Sequence, residues 1–313
     1  MKYFEIDAEG VTTLLNVSSP AVARSLLDRF GLRARKSLGQ NFLIDGNIIH
    51  KIVDAAQVEP DDVVVEIGPG LGALTTVLAA RAKKVLAVEI DRGLIRALTE
   101  ALSGTDRVEV ICRDALKTDF DELVQEQTGG ACGPGGEPYK LVGNLPYYIT
   151  SPLLMHLLIN RFNLSRMVVM VQQEVAARLT AQPGTRDYGA VTVAVKYFTQ
   201  PELLFRVPRT VFYPAPAVDS AVVRFEVLKK PPVAVRDEGL FFKVVRASFG
   251  QRRKTILNAL SGASLGLNRE DCLAVLEKAG IDFRRRGETL DLHEFAGVAE
   301  AMPVNPPSAI SRF

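Results

Sequence analysis

Five short apolar runs rich in β-branched residues, Val63–Ile67, Val85–Ile90, Val108–Cys112, Leu141–Val142 and Met167–Val171, alternate with helix-like segments. Short, largely apolar runs are what strands look like when helices cover both faces of a parallel sheet. The pattern therefore predicts an α/β architecture: a doubly wound, Rossmann-like sheet of βαβ units. Two later runs, Ala190–Phe198 and Ala221–Val227, lie close together and are expected to be strands, finishing the sheet with an antiparallel edge.

After Lys229-Lys230-Pro231-Pro232 the periodicity turns helical, over Phe241–Phe249, Thr255–Leu260, Arg269–Ala279 and Leu292–Ala301. The expected domains are a helical amino-terminal extension over 1–34, a catalytic domain over 35–230, a smaller all-helical domain over 231–302 and a tail over 303–313. An amphipathic helix is expected after Ser19-Pro20. The glycine- and proline-rich stretch 128–138 reads as a surface loop.

The formal charge of +2 conceals an uneven distribution, since residues 229–286 hold 13 Lys or Arg against six Asp or Glu. Such an excess suits a phosphate backbone, although a solvated helical surface gives the same composition. Cys112, Cys132 and Cys272 are too widely spaced for a CxxC pair, and a reducing cytoplasm is the expected compartment. The first ten residues mix Lys2 with Glu5, Asp7 and Glu9 and do not resemble a signal peptide. No stretch approaches the roughly 20 apolar residues that span a bilayer, so no membrane partner is expected. His50, His156 and His293 are scattered, and no metal is expected.

In Val63-Val64-Val65-Glu66-Ile67-Gly68-Pro69-Gly70-Leu71-Gly72 a strand runs into a glycine loop and then a helix. Glycines there let the backbone approach a ligand closely. The spacing is G-x-G-x-G, not the G-x-G-x-x-G of dinucleotide folds, which disfavours a nicotinamide dehydrogenase. Pro69 supplies no N–H, which weakens a pyrophosphate cradle and suits a cofactor without phosphates, such as S-adenosylmethionine. Glu89 closes the next strand, where a carboxylate accepts hydrogen bonds from both ribose hydroxyls. Asp114 follows the third strand and has two readings, an acceptor for the adenine amino group or a helix cap.

At the end of the fourth strand stands Asn144-Leu145-Pro146-Tyr147-Tyr148. The lone pair of an adenine N6 amine is delocalised into the ring, so its methylation needs orientation of that nitrogen. The Asn144 side-chain oxygen and the Leu145 backbone oxygen supply two acceptors, one for each N–H. Pro146 biases Leu145 towards extended backbone and helps aim its carbonyl. Tyr147 offers a face on which an extruded base stacks.

Taken in order, these motifs closely resemble the ribosomal RNA adenine N6-dimethyltransferase family, from about Arg35 to Leu292. The resemblance implies a class I methyltransferase fold with S-adenosyl-L-methionine as cofactor. Lys36-Ser37-Leu38-Gly39-Gln40-Asn41-Phe42-Leu43 is similar to the family's first cofactor motif, implying cofactor contacts for Asn41 and Leu43. Gly68, Glu89, Asp114 and Asn144 match its other cofactor positions. Phe212, within Val211–Ser220, matches the aromatic packed against the target base opposite Tyr147. Phe249-Gly250-Gln251-Arg252-Arg253-Lys254-Thr255, expected to open a helix, resembles the small-subunit branch. Arg252, Arg253 and Lys254, followed by Arg284, Arg285 and Arg286, are candidate phosphate contacts.

The resemblance implies N6-dimethylation of two adjacent adenosines near the 3′ end of 16S rRNA, within a pre-30S particle, by a monomeric cytoplasmic enzyme. Two rivals stand beside it. A macrolide-resistance type methyltransferase of 23S rRNA shares fold and motifs, and an assembly factor would act mainly by binding.

Overall fold

The computed structural model describes residues 4–6, 12–14, 20–35, 38–102 and 104–303. Lys36 and Ser37 of the opening motif, and the tail beyond Pro303, lie outside the described residues.

The amino-terminal segment forms β1 (Phe4–Ile6), β2 (Thr12–Leu14) and α1 (Pro20–Arg29). The helix is the expected one, whereas the antiparallel pairing of β1 with β2 was not foreseen. The chain continues through β3 (Phe42–Leu43), α2 (Gly46–Ala56), β4 (Val63–Ile67), α3 (Ala73–Arg81), β5 (Lys84–Glu89) and α4 (Arg92–Ala101). Next come β6 (Val108–Cys112), α5 (Phe120–Thr128), β7 (Tyr139–Asn144), α6 (Thr150–Ile159), β8 (Leu164–Gln172) and α7 (Gln173–Thr180). The remainder is α8 (Ala190–Phe198), β9 (Thr199–Val207), β10 (Phe212–Tyr213), β11 (Ser220–Val227), α9 (Glu238–Gly250), α10 (Ile256–Ser261), α11 (Arg269–Lys278) and α12 (Leu292–Ala301).

Seven strands form the central sheet in the order β6-β5-β4-β7-β8-β11-β9. The pairs β4–β5, β5–β6, β4–β7 and β7–β8 are parallel, and β11 runs antiparallel to β8. All five residues of β4 are buried, as a strand covered on both faces requires. After β4 the chain winds outward to β5 and β6, then returns to place β7 on the other side of β4. The connections leaving β4 and β7 therefore diverge, and a cleft opens at the carboxyl ends of these strands. Aspartates set the helix starts on this sheet. Asp45, Asp91 and Asp119 cap α2, α4 and α5 by accepting from Ile48, Gly93 and Glu122 N–H groups.

The chain divides into two compact units: the described residues up to Ala176 together with Glu202–Val227, and Ala177–Pro201 together with the described residues from Leu228 onward. The segment 177–201, grouped with 35–230 in the sequence reading, belongs to the second unit. Within it Ala190–Phe198 is a helix, not the expected strand. Its Val- and Thr-rich stretch is buried at Thr192, Val193, Ala194, Val195, Tyr197 and Phe198, so the run shows no amphipathic period. Local bonds and packing decide the conformation. Thr192 Oγ1 accepts from Gly189 N–H at 3.1 Å and donates to Arg178 O at 2.6 Å. Tyr197 and Phe198 join Phe241 and Phe242 of α9 in an aromatic cluster with ring centroids 5.0–5.8 Å apart. The helices at Glu238–Gly250, Ile256–Ser261, Arg269–Lys278 and Leu292–Ala301 match the periodic segments.

Phe241 is fully buried in this cluster. Phe241→Ala is expected to destabilise the second unit by about 3–5 kcal/mol. Urea unfolding followed by circular dichroism checks this, and a cost below about 1 kcal/mol would show that the cluster does not hold the unit together.

Candidate active site

The cleft lies wholly in the first unit, at the carboxyl ends of β4, β5, β6 and β7. Asn41, Leu43, Gly68, Glu89, Asp114, Asn144, Leu145, Pro146 and Tyr147 all line it. Positions spread over a hundred residues of sequence are thus assembled by one feature, the common end of the parallel strands.

The glycine loop depends on backbone that other residues rarely adopt. Gly68 and Gly70 have φ of +69° and +59°, and a Cβ at Gly70 would sit 3.1 Å from the Phe42 ring. The Gly68 N–H donates to Val88 O at 3.0 Å, locking the loop to β5. On β5, Glu89 is buried, and its Oε1 accepts the N–H groups of Ile90 and Asp91, both at 2.9 Å. Burial pushes this carboxyl above the ordinary carboxylate range, while the Asp91 and Ile90 amides pull it back. Asp114 is partly exposed, its Oδ1 taking the Leu116 N–H at 3.0 Å. It closes a turn of its own and caps no helix, since Asp119 caps α5.

The first motif is tied over the strand ends. Gln40 Nε2 donates to Asp91 Oδ2 at 2.9 Å, and Gln40 Oε1 accepts the Arg35 N–H at 2.8 Å. β3 pairs with β10, Leu43 opposite Phe212. Asn144 Nδ2 donates to Asn41 O at 2.9 Å. A carbonyl only accepts, so the amide nitrogen of Asn144 must face Asn41 and its Oδ1 must point away from it. Next in the chain, the Leu145 N–H is held by Met170 O at 3.1 Å, and among the described residues no donor reaches the Leu145 carbonyl. Two acceptors on consecutive residues, one side-chain and one backbone, are thereby left unclaimed among the described residues.

The aromatics of the two motifs are placed differently. Tyr147 is anchored, its hydroxyl 2.9 Å from Ser220 Oγ, and burial raises its pKa against the pull of Ser220. Tyr148 is the exposed ring on the cleft wall, 56% accessible, and it lies against Gly39. Phe212 does not line the cleft. It is 3% exposed and packs with Leu43, Ile49 and Ile52 in the core, because its pairing with Leu43 turns it into the layer beneath the first motif.

The candidate phosphate contacts divide as well. Arg252, Arg253 and Lys254 occupy the turn between α9 and α10, not the opening of a helix, and Thr255 caps α10. Arg252 is bound to Glu288 at 3.2 Å and to the carbonyls of Arg186 and Tyr188, so it braces the second unit. Arg285 is bidentate to Glu294. Arg253, Lys254 and Arg286 are exposed and enter no ion pair among the described residues.

Glu66, in the middle of the glycine motif, had been given no role. It is 1% exposed, lines the cleft, and neither carboxylate oxygen has a hydrogen-bond partner. Burial raises its pKa to about 8; the neighbouring Thr75 hydroxyl, also unpartnered, offsets part of this, and the Glu89 charge adds to it. An acidic residue inside an otherwise apolar buried strand was the available signal. The described residues hold no group of three or more His, Cys, Asp or Glu able to bind a metal, and none of their helices is long and apolar enough to cross a membrane.

The folded Glu66 keeps its proton up to about pH 8, whereas the unfolded carboxyl loses it near 4.5. Its contribution to stability is therefore greatest below the lower value and is lost as pH rises through that window. Relative to Glu66→Gln, the wild-type chain is expected to lose roughly 4 kcal/mol between about pH 5 and pH 8.5, measured by urea unfolding without ligand. Parallel pH profiles for the two proteins would sink this assignment.

Residues 31–297 match the family model described as ribosomal RNA adenine dimethylase. The ribosomal RNA small subunit methyltransferase A of Pelotomaculum thermopropionicum is 63% identical over 288 residues, 92% of this chain and 98% of that protein. The protein of the same name from Moorella thermoacetica is 54% identical, over 92% and 99% of the two chains. Among solved structures, a dimethyladenosine transferase from Plasmodium falciparum superposes with a TM-score of 0.68 at 28% identity, covering 82% of this chain and 95% of that one. The 23S rRNA methyltransferase ErmE gives 0.63 at 29% identity, over 84% and 99%. The assembled cleft, the mostly parallel sheet and these matches agree: the chain belongs to the ribosomal RNA adenine dimethylase family and is an rRNA adenine methyltransferase.

Proposed function

We propose that this chain transfers methyl groups from S-adenosyl-L-methionine to the N6 amines of two adjacent adenosines near the 3′ end of 16S rRNA, yielding N6-dimethyladenosine in a pre-30S particle. The observation that carries this reading is the Asn144–Asn41 bond, which leaves Asn144 Oδ1 free beside the free Leu145 carbonyl. Two acceptors on consecutive residues would take the two N–H bonds of an adenine amine and hold its nitrogen for attack on a methyl group.

The cleft fits the cofactor. Glu89 would accept from the ribose hydroxyls and Asp114 from the adenine amine, while Gly68, Asn41 and Leu43, which also line the cleft, would lie against the nucleoside and methionine parts. The unpartnered carboxyl of Glu66 suits a cationic ligand, and Pro69 leaves no phosphate cradle. When bound, the cofactor supplies an electrophilic methyl on a sulfonium. The chain's own residues orient the amine and exclude water: Asn144 and Leu145 accept, Pro146 keeps Leu145 extended, and Tyr147, anchored through Ser220, shapes the entrance for the base. For Phe212, buried here, a role at the target base would require a different side-chain arrangement.

The small-subunit reading is supported by the relatives at 63% and 54% identity that carry that name, against 29% for the 23S methyltransferase. The intact Asn144–Tyr147 segment favours chemistry over an assembly role by binding alone. A monomer in the cytoplasm remains part of the proposal.

Labelled S-adenosyl-L-methionine incubated with undermodified 30S particles and, separately, with large-subunit RNA tests it. Dimethyladenosine is expected in the small-subunit RNA, with Asn144→Ala lowering the rate at least about a hundredfold at unchanged fold. Label confined to large-subunit RNA would transfer the chain to the resistance type, and tight particle binding without transfer would make it an assembly factor.

A further inference from the structure

In the second unit the backbone of 252–257 runs beside that of 283–288. The Leu257 N–H donates to Phe283 O at 3.5 Å, the Ile256 N–H to Arg285 O at 2.6 Å, and Arg252 reaches Glu288 at 3.2 Å. This cross-linking brings two basic runs together and sorts their charges. Arg252 and Arg285 are neutralised by Glu288 and Glu294. Arg284 is bidentate to Asp282 and lies over the Phe283 ring, its guanidinium carbon 5.9 Å from the centroid. Arg253, Lys254 and Arg286 keep no counter-ion among the described residues. Arg253, Lys254, Arg284 and Arg286 are thus exposed on the two runs that these backbone bonds join, and Phe283 lies within one of them.

Phe283 itself is 40% exposed. A solvated basic face has no need of a phenyl ring, and a ring there gains nothing from water. A single strand of RNA uses both: its bases stack on aromatic faces and its phosphates displace counter-ions from Lys and Arg. We propose that Phe283 is a base-stacking platform for an unpaired nucleotide, with Arg253, Lys254 and Arg286 contacting the flanking phosphates. It is a second RNA contact, separate from the cleft of the first unit. The assignment rests on the ribosomal RNA reading and adds the form of RNA it recognises: single-stranded, not duplex.

The chain contains no tryptophan, so Phe283→Trp introduces a single indole at the proposed platform. The probe is an oligoadenylate of about 12 nucleotides, alone and paired with oligouridylate. The single strand is expected to quench the indole and the duplex to leave it nearly unchanged. Phe283→Ala is expected to weaken binding of the single strand about tenfold, with Phe283→Tyr restoring it. Arg253→Ala and Lys254→Ala should each flatten the dependence of log affinity on log salt by about 0.7. Equal affinity for Phe283→Ala and wild type would overturn the proposal, as would quenching by the duplex or by polyglutamate as strong as by the single strand. Methyl transfer to undermodified 30S particles is measured on the same proteins. Its absence in wild type would sink the ribosomal RNA reading, whereas transfer by wild type alongside an unaltered Phe283→Ala affinity would sink this proposal alone.

Discussion

The divergence of the chain on either side of β4 is the constraint from which the rest of the site follows. Parallel strands all end on one edge of their sheet, and where successive connections turn opposite ways no backbone covers the gap between them. Here the gap lies between the loop after β4 and the loop after β7, so Gly68 and Asn144 face each other across it. Glu89 and Asp114 follow because β5 and β6 end on the same edge. None of these residues needs the others in order to be placed. Each needs its strand in register, and β4 and β5 are held there by burial of nearly their whole length.

A gap alone would be a shallow groove. The segment before β3 closes it, and polar bonds hold that segment where a hydrophobic contact would not specify direction. Gln40 bridges Arg35 and Asp91, and Asp91 also caps α4, so one carboxylate fixes both the helix and the segment above it. The Asn41 carbonyl then receives the Asn144 amide. The orientation of Asn144 is thus set by an element more than a hundred residues earlier, and a change in how 38–43 sits would turn the acceptor away from the cleft.

The sheet was legible because its signal is local: short apolar runs, a glycine turn after the first and carboxylates after the next two. The order of the motifs then carried the family. What was not legible depended on partners that a linear pattern does not show. Ala190–Phe198 reads as a strand until the Thr192 bonds and the Phe241–Phe242 surface are known. Arg252, Arg253 and Lys254 are equivalent as letters, yet Glu288 and two carbonyls claim the first and leave the others exposed. Phe212 looks like a site aromatic by its motif, and its pairing with Leu43 buries it. The cleft residues themselves were readable since their position at strand ends is a property of topology and not of side-chain packing.

Glu66 shows how far the site departs from what stability alone would select. Its neighbours in β4 are Val63, Val64, Val65 and Ile67, and an apolar residue would complete that strand with no desolvation cost. The carboxyl instead is buried two residues before a loop whose glycines are also conformationally expensive. Both costs fall on the same edge of the same strand, next to the cleft, and neither contributes to packing the core. The strand that anchors the sheet therefore carries, beside the cleft, a desolvation cost that packing of the core does not require.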